Sequence, residues 1–116
     1  MKKILILGTA LLCGFLGRVA AQGVEFRDLT FGQALEQART ENKLVFMDCY
    51  TSWCGPCKNM LKNVFTLPEA GEFMNAHFVC VKYDMEKGEG IGLKKQFAVR
   101  AFPTFFIIRP DGTVQH

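Results

Sequence analysis

The decapeptide CYTSWCGPCK, residues 49–58, carries three cysteines within nine positions. The spacing Cys49-x4-Cys54-x2-Cys57 fits three chemistries: thiolate ligands for a metal or an iron–sulfur cluster, a structural disulfide, or a redox-active dithiol. Fold and function both turn on which of these it serves.

Upstream of it, LVFM at residues 44–47 is a continuous apolar run of strand length, as expected for a strand covered on both faces. Asp48 interrupts the run and Cys49 closes the strand. Downstream the pattern turns helical: Met60, Leu61, Val64 and Phe65 form one stripe, which Pro68 breaks. The Cys54–Cys57 pair therefore lies at a strand-to-helix junction, with a helix beginning at or near Cys54. A helix start offers unpaired N–H groups and partial positive charge, which favour a thiolate at Cys54. Pro56 lacks an N–H, a loss that an early helical position tolerates. Cys57, one turn on, is close enough to bridge back to Cys54, and Lys58 adds modest positive potential.

Further out, Thr30-Phe31-Gly32-Gln33 has the form of a helix capping box. Phe31, Ala34, Leu35 and Ala38 then share one helical face, and this helix is expected to end near Asn42. Residues 23–29 read as a short strand or entry segment. Residues 69–76 read as a helix with Phe73 and Met74 facing inward, and 78–81 as a buried strand. Residues 84–92 read as a solvated loop, 93–97 as a short helix and 104–108 as a strand. Pro110-Asp111-Gly112 is a turn. Residues 113–116 look like the start of a strand that pairs with 104–108. No helix follows, so the last strand and helix of the fold are expected to be incomplete. There is no internal repeat, linker or low-complexity tract. Alternating strands and helices indicate an α/β fold.

The chain has 116 residues, enough for one small domain. Lys2 and Lys3, an apolar run over 4–16 and the small residues Val19, Ala20 and Ala21 have the layout of a secretory signal, which sets the domains at 1–21 and 22–116. A start-anchored membrane helix is the alternative. Of 14 basic residues, Lys2, Lys3 and Arg18 fall in that segment and no acidic residue does, leaving 11 against 11 acidic. The apparent basicity belongs to targeting, so it is no argument for a nucleic-acid partner. Cys49, Cys54, Cys57 and Cys80 remain, and outside the cytoplasm disulfides persist.

Four cysteines at this spacing match a plant-type iron–sulfur pattern, but Cys49 ends a buried strand where such clusters use ligand-rich loops. Haem attachment needs a His after the pair, where Lys58 stands. A zinc site needs about four convergent ligands, and His77 has no evident path to the pair. A purely structural bridge would not call for Trp53 before the pair and Gly55-Pro56 inside it. The redox reading uses every residue of the stretch.

Trp53-Cys54-Gly55-Pro56-Cys57-Lys58 is identical to the active-site stretch of thioredoxins, Asp48 stands where they have a buried aspartate, and Phe102-Pro103-Thr104 resembles their cis-proline segment. The resemblance covers about residues 31–114. Ala34, Ala38 and Lys43, then Val64-Phe65 and Pro68-Glu69, are similar to secreted thioredoxin-like domains, among them the C-terminal domain of the membrane thiol reductase DsbD. The resemblance implies a thioredoxin fold, a central mixed sheet flanked by helices. It implies that Cys54 is the exposed attacking thiolate, Cys57 the buried resolving thiol, and Asp48 the group assisting proton transfer at Cys57. Trp53, Gly55, Pro56, Phe102 and a cis Pro103 would meet substrate, with the backbone of Phe102 pairing to an extended segment. Cytoplasmic thioredoxins place a Lys near the aspartate; aligning Asp84 with the acid ending that strand puts Cys80 there. Asp48 is then expected to lack that positive neighbour unless Lys82 or Lys58 reaches in. Cys49 and Cys80 are expected to be small buried side chains.

The expectation is a periplasmic or secreted protein-disulfide reductase, monomeric. It would use no metal or organic cofactor, act on disulfide-containing proteins and be recharged by a membrane thiol reductase. A disulfide isomerase or oxidase is the alternative within the class. A non-catalytic binding module, or a metal carrier using Cys54 and Cys57, is the alternative outside it.

Overall fold

The computed structural model describes residues 23–116. The secretory signal expected over 1–21 lies outside the described residues. The apolar run and its three following residues form one strand, β1 (Leu44–Tyr50), whose five central residues are all buried. Its two edges are paired in a sheet ordered β2-β1-β3, and apolar clusters cover its two faces. The sheet is mixed: β2 (Phe78–Asp84) runs parallel to β1 and β3 (Thr104–Ile108) antiparallel. The expected α/β thioredoxin fold, with its mixed sheet, is the one observed.

Alternation along β1 divides the core. Val45, Met47 and Cys49 pack with Phe31, Ala34 and Ala38 of α1 (Phe31–Glu41) and Leu93 of α4 (Gly90–Gln96). Phe46 turns to the other face, with Phe65 and Cys80. There it meets Met60 and Leu61 of α2 (Gly55–Asn63) and Met74 of α3 (Pro68–His77). Asp48, two residues from Phe46, shares that second face.

The Thr30 capping box forms in full: Gln33 N–H donates to Thr30 Oγ1 at 3.1 Å, and Thr30 N–H donates to Gln33 Oε1 at 2.9 Å. The Glu89 carboxylate takes the Phe31 N–H at 3.1 Å, a second cap supplied from across the fold. Asn42 ends α1 at φ 57°, a left-handed conformation Asn tolerates.

Two expectations change. α4 begins at Gly90, inside the segment read as a loop, because the backbone of Gly90 lies against that of Asp84, an approach glycine permits. Phe73 is 58% exposed and stacks on His77 instead of facing inward. Residues 23–29, read as a short strand or entry segment, are the latter: they supply a single parallel bridge, Phe26 to Cys80, at the edge beyond β2. Val114 bridges antiparallel to Ile108, the pairing expected of residues 113–116.

Candidate active site

The end of β1 delivers the chain to the redox stretch. Cys54 caps α2 in extended conformation, its N–H bonded to Thr51 O at 3.3 Å, and Pro56 lies in the first turn. Cys54 and Cys57 are joined in a disulfide, with their Cα atoms 5.3 Å apart. The Cys57 N–H donates to Cys54 Sγ at 3.1 Å, so one of the free donors of the helix start points at that sulfur. The expectation of an exposed Cys54 needs correction for this bridged form: Cys54 and Cys57 are each 3% exposed. In the bridge, Cys54 Sγ lies against the first turn of α2, where it accepts the Cys57 N–H.

The neighbouring segments converge at this end of the sheet. β3 starts by pairing Thr104 with Cys49, which brings Phe102 and Pro103 to the same end as the bridge. The Phe102–Pro103 peptide is cis. Trp53, 63% exposed, meets Phe102 edge-on at 5.9 Å between ring centroids. Its indole Nε1–H donates to Glu86 Oε1 at 3.1 Å. Gly55 and Pro56 are exposed, and a Cβ at Gly55 would meet no atom within 4 Å.

Asp48 lies beneath. It is 1% exposed, and its Oδ1 has no hydrogen-bond partner among the described residues. It shares a face of β1 with Phe46, the face covered by the α2 stripe that runs from Cys57 through Met60 and Leu61. Burial pushes its carboxyl up to about 6, and the positive charge of Lys82 opposes that rise. The neighbour expected at Cys80 is therefore corrected. Cys80 pairs with Phe46 in the aromatic cluster, and Lys82 is the residue opposite Asp48. The Lys82 Nζ sits 5.4 Å from the Tyr50 ring centroid and 5.9 Å from that of Phe26, held over two aromatic faces.

The two remaining cysteines do not join the pair. Cys49 is buried on the α1 face and Cys80 on the opposite one, and burial pushes both thiols up to about 12. Cys49, Cys54, Cys57 and Cys80 thus do not converge as cluster ligands. Glu86 escaped the reading of the sequence: it lies in a polar loop, and only the fold brings it to Trp53.

Comparison with known proteins agrees with this geometry. A family model described as thioredoxin-like matches residues 26–110. The solution structure of a candidate disulphide-isomerase from Bacteroides thetaiotaomicron is similar with a TM-score of 0.72 and 48% identity, covering 83% of this chain and 79% of that one. Thioredoxin-2 of Pyricularia oryzae is 32% identical over 95 residues, 82% of this chain and 52% of that protein. The thiol:disulfide interchange protein DsbD of Pseudomonas fluorescens is 31% identical over 81 residues, 69% of this chain but 14% of DsbD. The chain thus spans about half the length of the first of these two relatives and a small part of the second.

Proposed function

This chain belongs to the thioredoxin-like family, and from that premise we propose that it is an extracytoplasmic thiol–disulfide oxidoreductase that reduces protein disulfides. The observation that carries the proposal is the Cys54–Cys57 bridge at the start of α2, with the Cys57 N–H aimed at Cys54 Sγ. In the reduced protein the same donor and the helix start stabilise negative charge on that sulfur.

The reaction has two steps. The Cys54 thiolate attacks one sulfur of a substrate disulfide; a Cys54–substrate disulfide forms and the other substrate sulfur leaves as a thiolate. Cys57 then gives up its proton and attacks Cys54 Sγ, which forms the internal bridge and releases the second substrate sulfur. Two electrons pass from the protein to the substrate. Asp48, buried and pushed up to about 6, is a proton acceptor matched to the resolving step near neutral pH. Trp53, Phe102, Pro103, Gly55 and Pro56 form the surface a substrate segment meets, with the Phe102 backbone free to pair with an extended chain. The chemistry calls for no metal or organic cofactor. It calls for an electron donor, which outside the cytoplasm would be a membrane thiol reductase.

Mixing Cys57→Ser with disulfide-bonded insulin tests the proposal. Mixed disulfides through Cys54 should accumulate, while Cys54→Ser should trap none. Trapping by Cys54→Ser alone would reverse the assigned roles. The likeness to the Bacteroides protein supports a second reading, disulfide isomerisation. Reactivation of scrambled ribonuclease by the reduced protein, without added oxidant, would favour it.

A further inference from the structure

Beyond residue 22 the chain carries as many acidic as basic residues, yet they are not evenly mixed. No acid lies between Glu89 and Asp111, a stretch that holds Lys94, Lys95, Arg100 and Arg109. Lys94, Lys95 and Arg100 are exposed, and none of the three forms an ion pair among the described residues, where the ion pairs join Glu41 to Arg27 and Lys43. The end of α4 gathers these three. Val99 N–H donates to Lys94 O at 3.0 Å and Ala98 N–H to Lys95 O at 3.2 Å, so the chain folds back on the helix through Ala98, left-handed at φ 53°. Arg100 follows Val99 directly, and two residues on comes Phe102, at most about 7 Å away between Cα atoms. The Phe102 ring in turn meets Trp53, with 5.9 Å between ring centroids. Cations in the last turn of a helix answer its partial negative charge, which accounts for Lys94 and Lys95. It does not account for Arg100, which lies beyond the helix. The acids on the loop before α4 are engaged elsewhere: Glu89 takes the Phe31 N–H, and Glu86 the indole N–H of Trp53.

We infer that Lys94, Lys95 and Arg100 form a cationic docking surface, continuous with Phe102 and Pro103, for acidic polypeptide disulfides. The inference rests on the thiol–disulfide reading and adds a substrate class to it. Main-chain pairing beside Phe102 is indifferent to the side chains of the segment it holds. A segment laid there with one end toward Arg100 brings its own side chains over the three cations. Aspartate and glutamate are attracted, and lysine and arginine repelled. Between exposed charges this acts chiefly on the rate of productive encounter, and it fades with salt. The exchange at Cys54 is the same for every substrate, so an uncharged peptide separates docking from any effect on the redox pair.

The test uses the full chain, reduced, and three disulfide-linked peptides of one length whose flanking residues are glutamate, serine or lysine. Thiols remaining on the protein are counted by alkylation and mass after acid quench, which gives a second-order rate constant for each peptide. In about 20 mM salt the glutamate peptide should react roughly ten-fold faster than the lysine peptide, and in about 0.5 M salt the two should agree within about two-fold. Lys94→Gln, Lys95→Gln and Arg100→Gln combined should remove most of the low-salt preference and leave the serine peptide within about two-fold of the native rate. The serine peptide thereby reports an intact fold and redox pair. Lys94→Glu, Lys95→Glu and Arg100→Glu combined should reverse the preference. A native chain without preference at low salt overturns the proposal, as does a preference that survives the combined glutamine variant. Equal slowing of all three peptides by that variant rejects the docking role as well. A native chain that reduces none of the three refutes the underlying oxidoreductase reading instead.

Discussion

Asp48 shows how one residue joins stability to chemistry. It is an acid in the central strand of the sheet, 1% exposed, with one carboxyl oxygen unpaired. Water is withdrawn from it, so its charged form is disfavoured and its carboxyl rises to about 6 from the usual value of 3.8. The folded state thus binds a proton that the unfolded chain has lost between those two values. The stabilising contribution of protonated Asp48 is fully present at low pH and is lost as pH rises through about 6. Asp48→Asn should therefore be more stable than the native chain at pH 8 by on the order of 2–3 kcal/mol. The difference should shrink towards pH 4, as denaturant titrations at the two pH values would show. The same substitution should slow resolution of the Cys54 mixed disulfide by roughly a hundred-fold or more, the scale of a lost general base, while leaving the first attack nearly unchanged. Stopped-flow measurement of both steps from pH 5 to 9 checks this. Lys82 enters with the opposite sign. Its charge holds the Asp48 carboxyl down, so Lys82→Met should move the pH midpoint of the resolving step upward; an unmoved midpoint would show that Lys82 is screened from Asp48.

At the scale of elements, α1 depends on end contacts as much as on its stripe. Thr30→Ala removes the hydroxyl that receives the Gln33 N–H and should cost about 1 kcal/mol in urea unfolding. The loss should be softened because Glu89 still holds the Phe31 N–H. The Thr30 box could be read from residues three apart, whereas the Glu89 cap joins residues 58 apart and had no local sign. The same division runs through the rest of the fold. Continuous apolar runs and helical stripes located the strands and most helices, because burial acts on neighbouring residues. The start of α4 was hidden because glycines at 88, 90 and 92 have poor helix propensity, and close backbone contact with Asp84 overrides it. Phe73 was placed inward for its apolarity, but a short helix over a small sheet leaves one flank open. The partner of Asp48 was misplaced for a different reason. It was sought by matching Asp84 to a family position, whereas laying FVCVKYD directly beside LVFMDCY pairs Asp48 with Lys82. The cysteine pair was legible because its chemistry is local. Glu86 was not, because only tertiary structure brings it to Trp53.

For the molecule as a whole, the site sits where three chain segments end together: the end of β1, the start of α2 and the loop before β3. The sheet holds that junction, and two apolar clusters on its faces fix the sheet. Thiol chemistry of this kind is matched to a compartment by its potential. If residues 1–21 direct export, the protein recovered outside the cytoplasm should begin near Gln22. N-terminal sequencing reads this, and retention of Met1 in a membrane fraction would mean an anchor instead. The measurement that tests the central claim most directly is the equilibrium potential of the Cys54–Cys57 pair. It is read by titrating the purified chain against defined thiol–disulfide buffers and counting alkylated cysteines by mass. A disulfide reductase predicts a reversible two-electron couple confined to Cys54 and Cys57, near the value of about −270 mV typical of thioredoxin. A potential near −120 mV, that of a strong oxidant, would contradict the reductase account, and a pair that does not cycle at all would contradict the oxidoreductase reading itself.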